Sequence, residues 1–187
     1  MKTSFLILVF PCIFVACKKS GESLVTPPTT DINLLTNGSF ESNGVPSLQT
    51  WRGYNPNDTT RVSFSTDVPP QGGYFSLRLK NEWTFAGGVI AVVPAFLGTH
   101  QYRLSAYAKC EPYPRAHGYM TLGFLQSDSL VKENAYFISD SGWVACSLID
   151  TLSASSGDSI LVGLAGDIFS FAVGYTFFDL CKLEKLD

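Results

Sequence analysis

From residue 32 onward the chain keeps returning to a two-residue rhythm, and this constrains its fold more than any other feature. In "YFSLRLK" Phe75, Leu77 and Leu79 alternate with Ser76, Arg78 and Lys80; in "YRLSAYAK" Tyr102, Leu104, Ala106 and Ala108 alternate with Arg103, Ser105, Tyr107 and Lys109. In "WVACSLI" Val144, Cys146 and Leu148 share one side. Strand side chains project alternately to two faces, so this period means strands with one buried and one wet face. Turn-forming clusters punctuate the rhythm at Asn55 ("NPND"), Val68 ("VPPQGG"), Ala86 ("AGG"), Ser139 ("SDSG") and Ser155 ("SSGD"). Strands are predicted near 33–40, 51–54, 61–65, 74–80, 88–93, 101–110, 119–126, 143–149, 159–165 and 174–184. With almost no helical periodicity, that pattern means an all-β domain, either a two-sheet antiparallel sandwich or a barrel.

The first residues follow a different logic. Lys2 precedes the short apolar run "FLILVFPCIFVA", residues 5–16, and small Ala16 precedes Cys17. This has the form of an export signal, and the run is too short to span a bilayer, which needs about 20 apolar residues. Phe14, Val15, Ala16 and Cys17 resemble a bacterial lipobox, although the first position usually holds Leu. The resemblance implies a signal peptide over 1–16 and acylation of Cys17. Cys12 fits poorly because Pro11 precedes it. Several acyl chains hold a soluble domain at a membrane, each buried CH₂ adding about 0.8 kcal/mol. Residues 17–31, with "CKKSGES" and "TPPTT", lack apolar periodicity and read as a flexible tether. Residues 32–187 then form one domain, long enough for a single core.

Charge and cysteine content narrow the function classes. The formal net charge is −3, and losing Lys2 with the signal makes the remainder slightly more acidic. No basic cluster or basic helix is present, so nucleic acid is not an expected partner. Beyond Cys12 and Cys17 the chain has Cys110, Cys146 and Cys181, each on an apolar strand face. Buried thiols, or one disulfide plus a free thiol, both fit. None of the three has a close Cys or His partner at zinc-ligand spacing.

The order of motifs resembles a known superfamily. "NLLTNGSFE" followed by Trp51, then "GGYFSLRL", "YRLSAYAK", Trp143 before a strand and a closing "YTFFDLCKLEKL" are similar to carbohydrate-binding-module domains of galactose-binding-like, jelly-roll fold, over residues 33–185. The resemblance implies a β-sandwich of jelly-roll type with Trp51 and Trp143 in the core. No cofactor is required, but the resemblance implies a possible structural calcium ion held by Glu41, Asp179 and backbone carbonyls; the alternative is that the two carboxylates accept backbone N–H bonds at the sheet edge. Leu180 stands where the family carries a second acid, so one ligand is missing. Calcium takes six to eight oxygens, and two carboxylates at neighbouring strand ends can begin such a shell.

Aromatic side chains are where a glycan reading must stand or fall, because a sugar ring offers C–H groups that stack on a π-face while its hydroxyls need planar or charged partners. Phe40, Phe75, Phe124 and Phe177 lie on apolar parities and are expected in the core. Trp83, in "KNEWTF" beside Lys80, Asn81 and Glu82, is the best candidate for an exposed platform. Tyr107 falls on the polar parity of its strand, as Arg78 does on another; "CEPYPRAHGYM" adds Tyr113, Arg115, His117 and Tyr119. Catalytic machinery is not indicated: there is no Gly-x-Ser-x-Gly, no His-Glu-x-x-His and no recognisable acid pair, and His100 and His117 are the only histidines. The expected function is non-catalytic glycan binding by a lipoprotein of the bacterial envelope, anchored in the outer membrane of a Gram-negative cell. The alternative is a structural or protein-partner lipoprotein of an envelope complex.

Overall fold

The structure is a computed structural model, describing residues 32–54, 59–82, 85–111, 116–167 and 173–186. Its strands in chain order are β1 (Glu41–Ser42), β2 (Val45–Pro46), β3 (Arg52–Gly53), β4 (Val62–Ser65), β5 (Ser76–Glu82), β6 (Phe85–Ala86), β7 (Gly88–Pro94), β8 (Gly98–Cys110), β9 (Gly118–Gln126), β10 (Ser129–Ile138), β11 (Val144–Ala154), β12 (Ser159–Gly166) and β13 (Val173–Lys185). A single 3-10 turn, Thr59–Arg61, is the one helical element among the described residues. No helix there is long and apolar enough to cross a membrane.

Two antiparallel sheets carry the fold, as the alternation requires. One runs β10-β9-β12-β7-β3; the other runs β11-β8-β13-β5-β4, with β6 on β5. Leu77, Leu79, Leu104, Phe178 and Leu183 from the second sheet meet Met120, Leu122, Ile160, Val162 and Leu164 from the first, all fully buried. This is the two-sheet jelly-roll sandwich, with one core between facing sheets.

The predicted strand at 33–40 does not form. Asn37 and Phe40 take left-handed backbone angles, φ 58° and 56°, and the segment is a run of turns. It still extends the second sheet: Leu34 N donates to Leu183 O at 2.8 Å and Cys181 N to Gly38 O at 2.8 Å, while the Asn33 side chain bonds both sides of the Leu183 peptide region. Phe40 is fully buried and packs on Trp51 at 5.3 Å between ring centroids, so both are core residues as expected.

The sequence pattern misses β10. Its inward parity carries Lys132, Asn134 and Tyr136 opposite Phe124, Leu122 and Met120 of β9, because this strand closes the side of the sandwich instead of filling it. Asn134 Nδ2 donates to Asp150 Oδ2 of β11 at 2.7 Å, and Lys132 pairs with the same carboxylate. An edge strand bridging to the other sheet through polar side chains shows no apolar alternation.

Three aromatic expectations also change. Trp143 is half-exposed on the outer face of the second sheet: Val144 pairs with buried Ala108, so the residue before it takes the outward parity, beside Lys109. Phe177 is buried but has the outward parity, opposite Arg78 and Lys109; its cover is Lys109 and Trp143. Phe75 is only half-buried, because β5 starts one residue later. The three cysteines are buried free thiols, and burial pushes Cys110 and Cys146 up to about 11.

Candidate functional site

Strand register places the candidate residues in rows across the outer face of the first sheet. Phe137 of β10 lies opposite Tyr119 of β9, Tyr119 opposite Ala165 of β12, and Ala165 opposite Gly88 of β7. Tyr54, just past β3, completes the row, its N–H donating to Gly88 O at 2.8 Å. The next row is Ala135, Thr121, Gly163, Ile90 and Arg52. Aromatic side chains therefore stand on β10, on β9 and just past β3, while between them β12 and β7 carry Ala165 and Gly88 in the first row and Gly163 and Ile90 in the second. With strands about 4.8 Å apart, the small residues form a floor roughly 10 Å wide between aromatic walls. Tyr54 is 63% and Phe137 48% exposed. Further along this face a hollow of about 770 Å³ is lined by Arg52, Ile90, Val92, Leu125 and Asp128.

Of the bare floor residues, Gly163 is a packing requirement and Gly88 is not. A Cβ on Gly163 would collide with Thr121 Oγ1, and one on Gly88 would stand 3.4 Å from the Tyr54 Cβ.

One wall is anchored through the core. Asp167 is buried; His117 Nδ1 lies 3.5 Å from its Oδ2, and the Tyr119 hydroxyl donates to its Oδ1 at 3.4 Å. Burial, followed by the Asp167 charge, pushes the Tyr119 phenol above its ordinary pKa, keeping the hydroxyl protonated. The Phe137 ring packs on both His117, at 4.8 Å, and Tyr119, at 5.4 Å. The His117 carbonyl accepts from Asp167 N at 2.9 Å, Asn81 Nδ2 at 2.9 Å and Thr176 Oγ1 at 2.7 Å. Asn81 and Thr176 belong to the other sheet, so both sheets hold this corner.

His117 and Tyr119 are thus brought together, joined by Phe137, Tyr54, Asp167 and Arg52, which sequence reasoning did not single out. Phe137 was hidden with β10, and Tyr54 sits one residue past a two-residue strand. Arg78 and Tyr107 lie elsewhere: β5 and β8 do share a sheet, the second one, with β13 between them. Tyr107 lines a cleft of about 570 Å³ there with Asn37, Gln71, Ser105 and Lys182. Arg78 stacks over Tyr175 at 4.7 Å, and Lys109 over Phe177 at 4.8 Å and Trp143 at 5.4 Å. Asp67 clamps this group, accepting from Lys109 and from Trp143 Nε1 at 3.0 Å; Lys109 holds its carboxyl below the ordinary range. These aromatic faces already carry cations and offer less to a sugar than Tyr54 and Phe137 do. Cys17, Trp83 and Tyr113 lie outside the described residues.

Glu41 and Asp179 meet beneath the loop that enters β5. Glu41 Oε1 accepts from Tyr74 N and from Phe75 N at 2.7 Å. Asp179 is fully buried: its Oδ1 takes Leu180 N at 2.7 Å, but its Oδ2 has no hydrogen-bond partner. Burial, then the neighbouring Glu41 charge, raises this carboxyl to about 7. Gly72 and Gly73 bring bare backbone against both acids; a Cβ on Gly72 would sit 2.5 Å from Asp179 Oδ2 and one on Gly73 would strike Glu41. A β-bulge follows, with Leu180 at φ 51°. An orphaned buried carboxylate oxygen beside a second acid fits a hard cation. Among the described residues no three His, Cys, Asp or Glu side chains cluster as metal ligands, so backbone carbonyls would have to supply the remaining oxygens.

No protein-family model matches this chain, and no curated protein matches it in sequence. Solved structures do match its fold. TmCBM61 in complex with beta-1,4-galactotriose is 18% identical with a TM-score of 0.59, over 82% of this chain and 99% of that one. A family 16 carbohydrate-binding module is 19% identical with a TM-score of 0.58, over 81% and 99%. The C-terminal family 22 carbohydrate-binding module of Clostridium thermocellum Xyn10B is 15% identical with a TM-score of 0.56, over 84% and 97%. The chain has the jelly-roll fold of carbohydrate-binding modules.

Proposed function

We propose that this chain is a non-catalytic glycan-binding lipoprotein, held at the bacterial outer membrane through Cys17, that captures a poly- or oligosaccharide in the trough of the first sheet. The observation that carries the reading is the row Phe137, Tyr119, Ala165, Gly88 and Tyr54: exposed aromatics on both sides of a floor of small residues. Sugar rings stack on such walls, while Arg52, Thr121 and His117 are groups that hold hydroxyls. Likeness to modules such as TmCBM61, whose structure contains beta-1,4-galactotriose, supports the ligand class. Arg78, Tyr107, Tyr113 and Trp83 are secondary candidates. Calcium, held by Glu41 and Asp179, serves structure in this reading, tying the N-terminal segment to β13.

Isothermal titration of the purified chain against a panel of soluble polysaccharides tests the proposal. At least one is expected to bind, with Phe137→Ala and Tyr54→Ala each weakening binding about tenfold, equivalent to about 1.4 kcal/mol. Binding by none, or undiminished binding by both variants, would sink it. A protein-partner role has one observation in its favour: edge strand β10 exposes Leu130, Val131 and Tyr136. Co-purification of one stoichiometric envelope protein from membranes, lost with Val131→Lys, would support that role instead.

A further inference from the structure

The sandwich has two chemically different ends. Tyr54, Tyr119 and His117 lie at one; at the other β7 passes to β8 through residues 95–97, where Phe96 is 47% and Leu97 66% exposed. This loop is held in place. Phe96 N donates to the Tyr102 hydroxyl at 3.2 Å, His100 Nε2 lies 2.9 Å from Leu97 O, and Gly98 takes φ 96°, a left-handed angle that ends the loop. Lys185 Nζ lies 5.8 Å from the Phe96 ring centroid. Ile32, 66% exposed, enters at the same end, because the segment beginning there runs antiparallel to β13 and pairs Leu34 with Leu183.

Phe96 and Leu97 at the tip of a fixed loop, with Lys185 against the Phe96 ring and Ile32 entering at the same end, form a small amphipathic surface. Apolar groups at a tip with a Lys ammonium set back suit the boundary between acyl chains and headgroups. The chain itself indicates the occupant. Cys17 precedes Ile32 by 15 positions. Fifteen residues of unstructured chain would span roughly 20 Å on average and at most about 50 Å. A lipid on Cys17 would therefore keep this end near the bilayer at high effective concentration.

We infer that the end formed by Ile32, Phe96, Leu97 and Lys185 docks on the phospholipid bilayer that holds the Cys17 lipid. This rests on the lipoprotein reading. Between the Gly88 row and Pro94, where β7 ends, the sheet advances six residues, or roughly 20 Å. Docking therefore turns the aromatic walls away from the membrane.

The test uses the full chain as the cell processes it, in vesicles of phosphatidylethanolamine and phosphatidylglycerol containing a brominated lipid. Leu97→Trp and Tyr54→Trp each add one indole to the parental fluorescence. Quenching of the added indole is expected for Leu97→Trp and not for Tyr54→Trp; equal quenching, or none at position 97, overturns docking. Mass spectrometry of the N-terminal peptide reads acylation separately. Should Cys17 carry no lipid, the anchor reading fails by itself. Vesicle flotation of the unacylated chain then decides docking: a loss of about tenfold in Phe96→Ser/Leu97→Ser supports it, and unchanged flotation overturns it.

Discussion

Asn81 of β5 donates to the carbonyl of His117, which precedes β9, at 2.9 Å, so a side chain of one sheet fixes the backbone of the other directly beneath the aromatic wall. Asn81 is fully buried, and its Nδ2 also reaches Thr176 Oγ1 at 3.2 Å. Replacing it by Ala leaves the His117 carbonyl with fewer donors and opens a void. Asn81→Ala is expected to lower unfolding stability by about 2–3 kcal/mol in urea titrations. Gly166→Ala should be at least as harmful, because its Cβ would occupy the position of Asn81 Oδ1.

Gly163 offers a way to close the trough without touching a wall. Gly163→Leu puts a branched side chain on the floor between Thr121 and Ile90, its opposite residues. Glycan affinity is expected to fall by at least about tenfold, at a stability cost of about 1–3 kcal/mol because the Thr121 hydroxyl must rotate away from the new Cβ. Titration and thermal melting of the same sample separate the two effects.

The opposite face gives the converse prediction. Trp143→Ala removes a ring that packs on Phe177 and Lys109 and donates to Asp67. A stability loss of about 1–2 kcal/mol with unchanged glycan affinity is expected. Weakened binding would move the site to the second sheet.

Asp179 makes stability depend on pH with a definite sign. Its carboxyl is raised to about 7 from an ordinary value near 3.8, so between those limits the folded state binds more protons than the unfolded one. Stability therefore falls as pH rises through that window, by up to about 1.4 kcal/mol per unit, and the contribution is fully present only below about 4. Calcium favours the ionised form and should flatten the decline. Melting temperatures from pH 4 to 8 in chelator and in calcium chloride test both statements; parallel curves would remove calcium from the account.

Thiol reactivity follows from burial. Cys110 and Cys146, both raised to about 11, and the still more deeply buried Cys181 should not react with a thiol reagent in the native protein at neutral pH. All three are expected to react after denaturation without a reductant. A disulfide would leave only one.

Fold and site were unequally legible in the sequence, for a physical reason. Strands such as β8, with Tyr102, Leu104, Ala106 and Ala108 inward, display their burial as alternation, and the positions of both sheets' central strands follow from it. Phe40 and Trp51 likewise went to the core. What alternation cannot give is which strands become neighbours: the trough is a product of register, linking Tyr54 to residues more than sixty positions away. Parity alone also sent Arg78 and Tyr107 to a wet face without revealing that neighbouring aromatics there are covered by cations. Glu41 and Asp179, by contrast, were brought together from opposite ends of the chain by family resemblance, which carries topological information that periodicity lacks.

The pairing of residues 33–38 with the end of β13 has a mechanical meaning. In the proposed anchored state, with its ligand dragged by flow, the domain would feel tension through Asn33 and Leu34. Because this segment runs antiparallel to β13, the bonds Leu34 to Leu183, Cys181 to Gly38 and Asn33 to both residues are loaded in shear and must fail together. The load passes into β13, an interior strand flanked by β8 and β5. Pulling force is thus spread across the sheet before it can peel any strand from its edge.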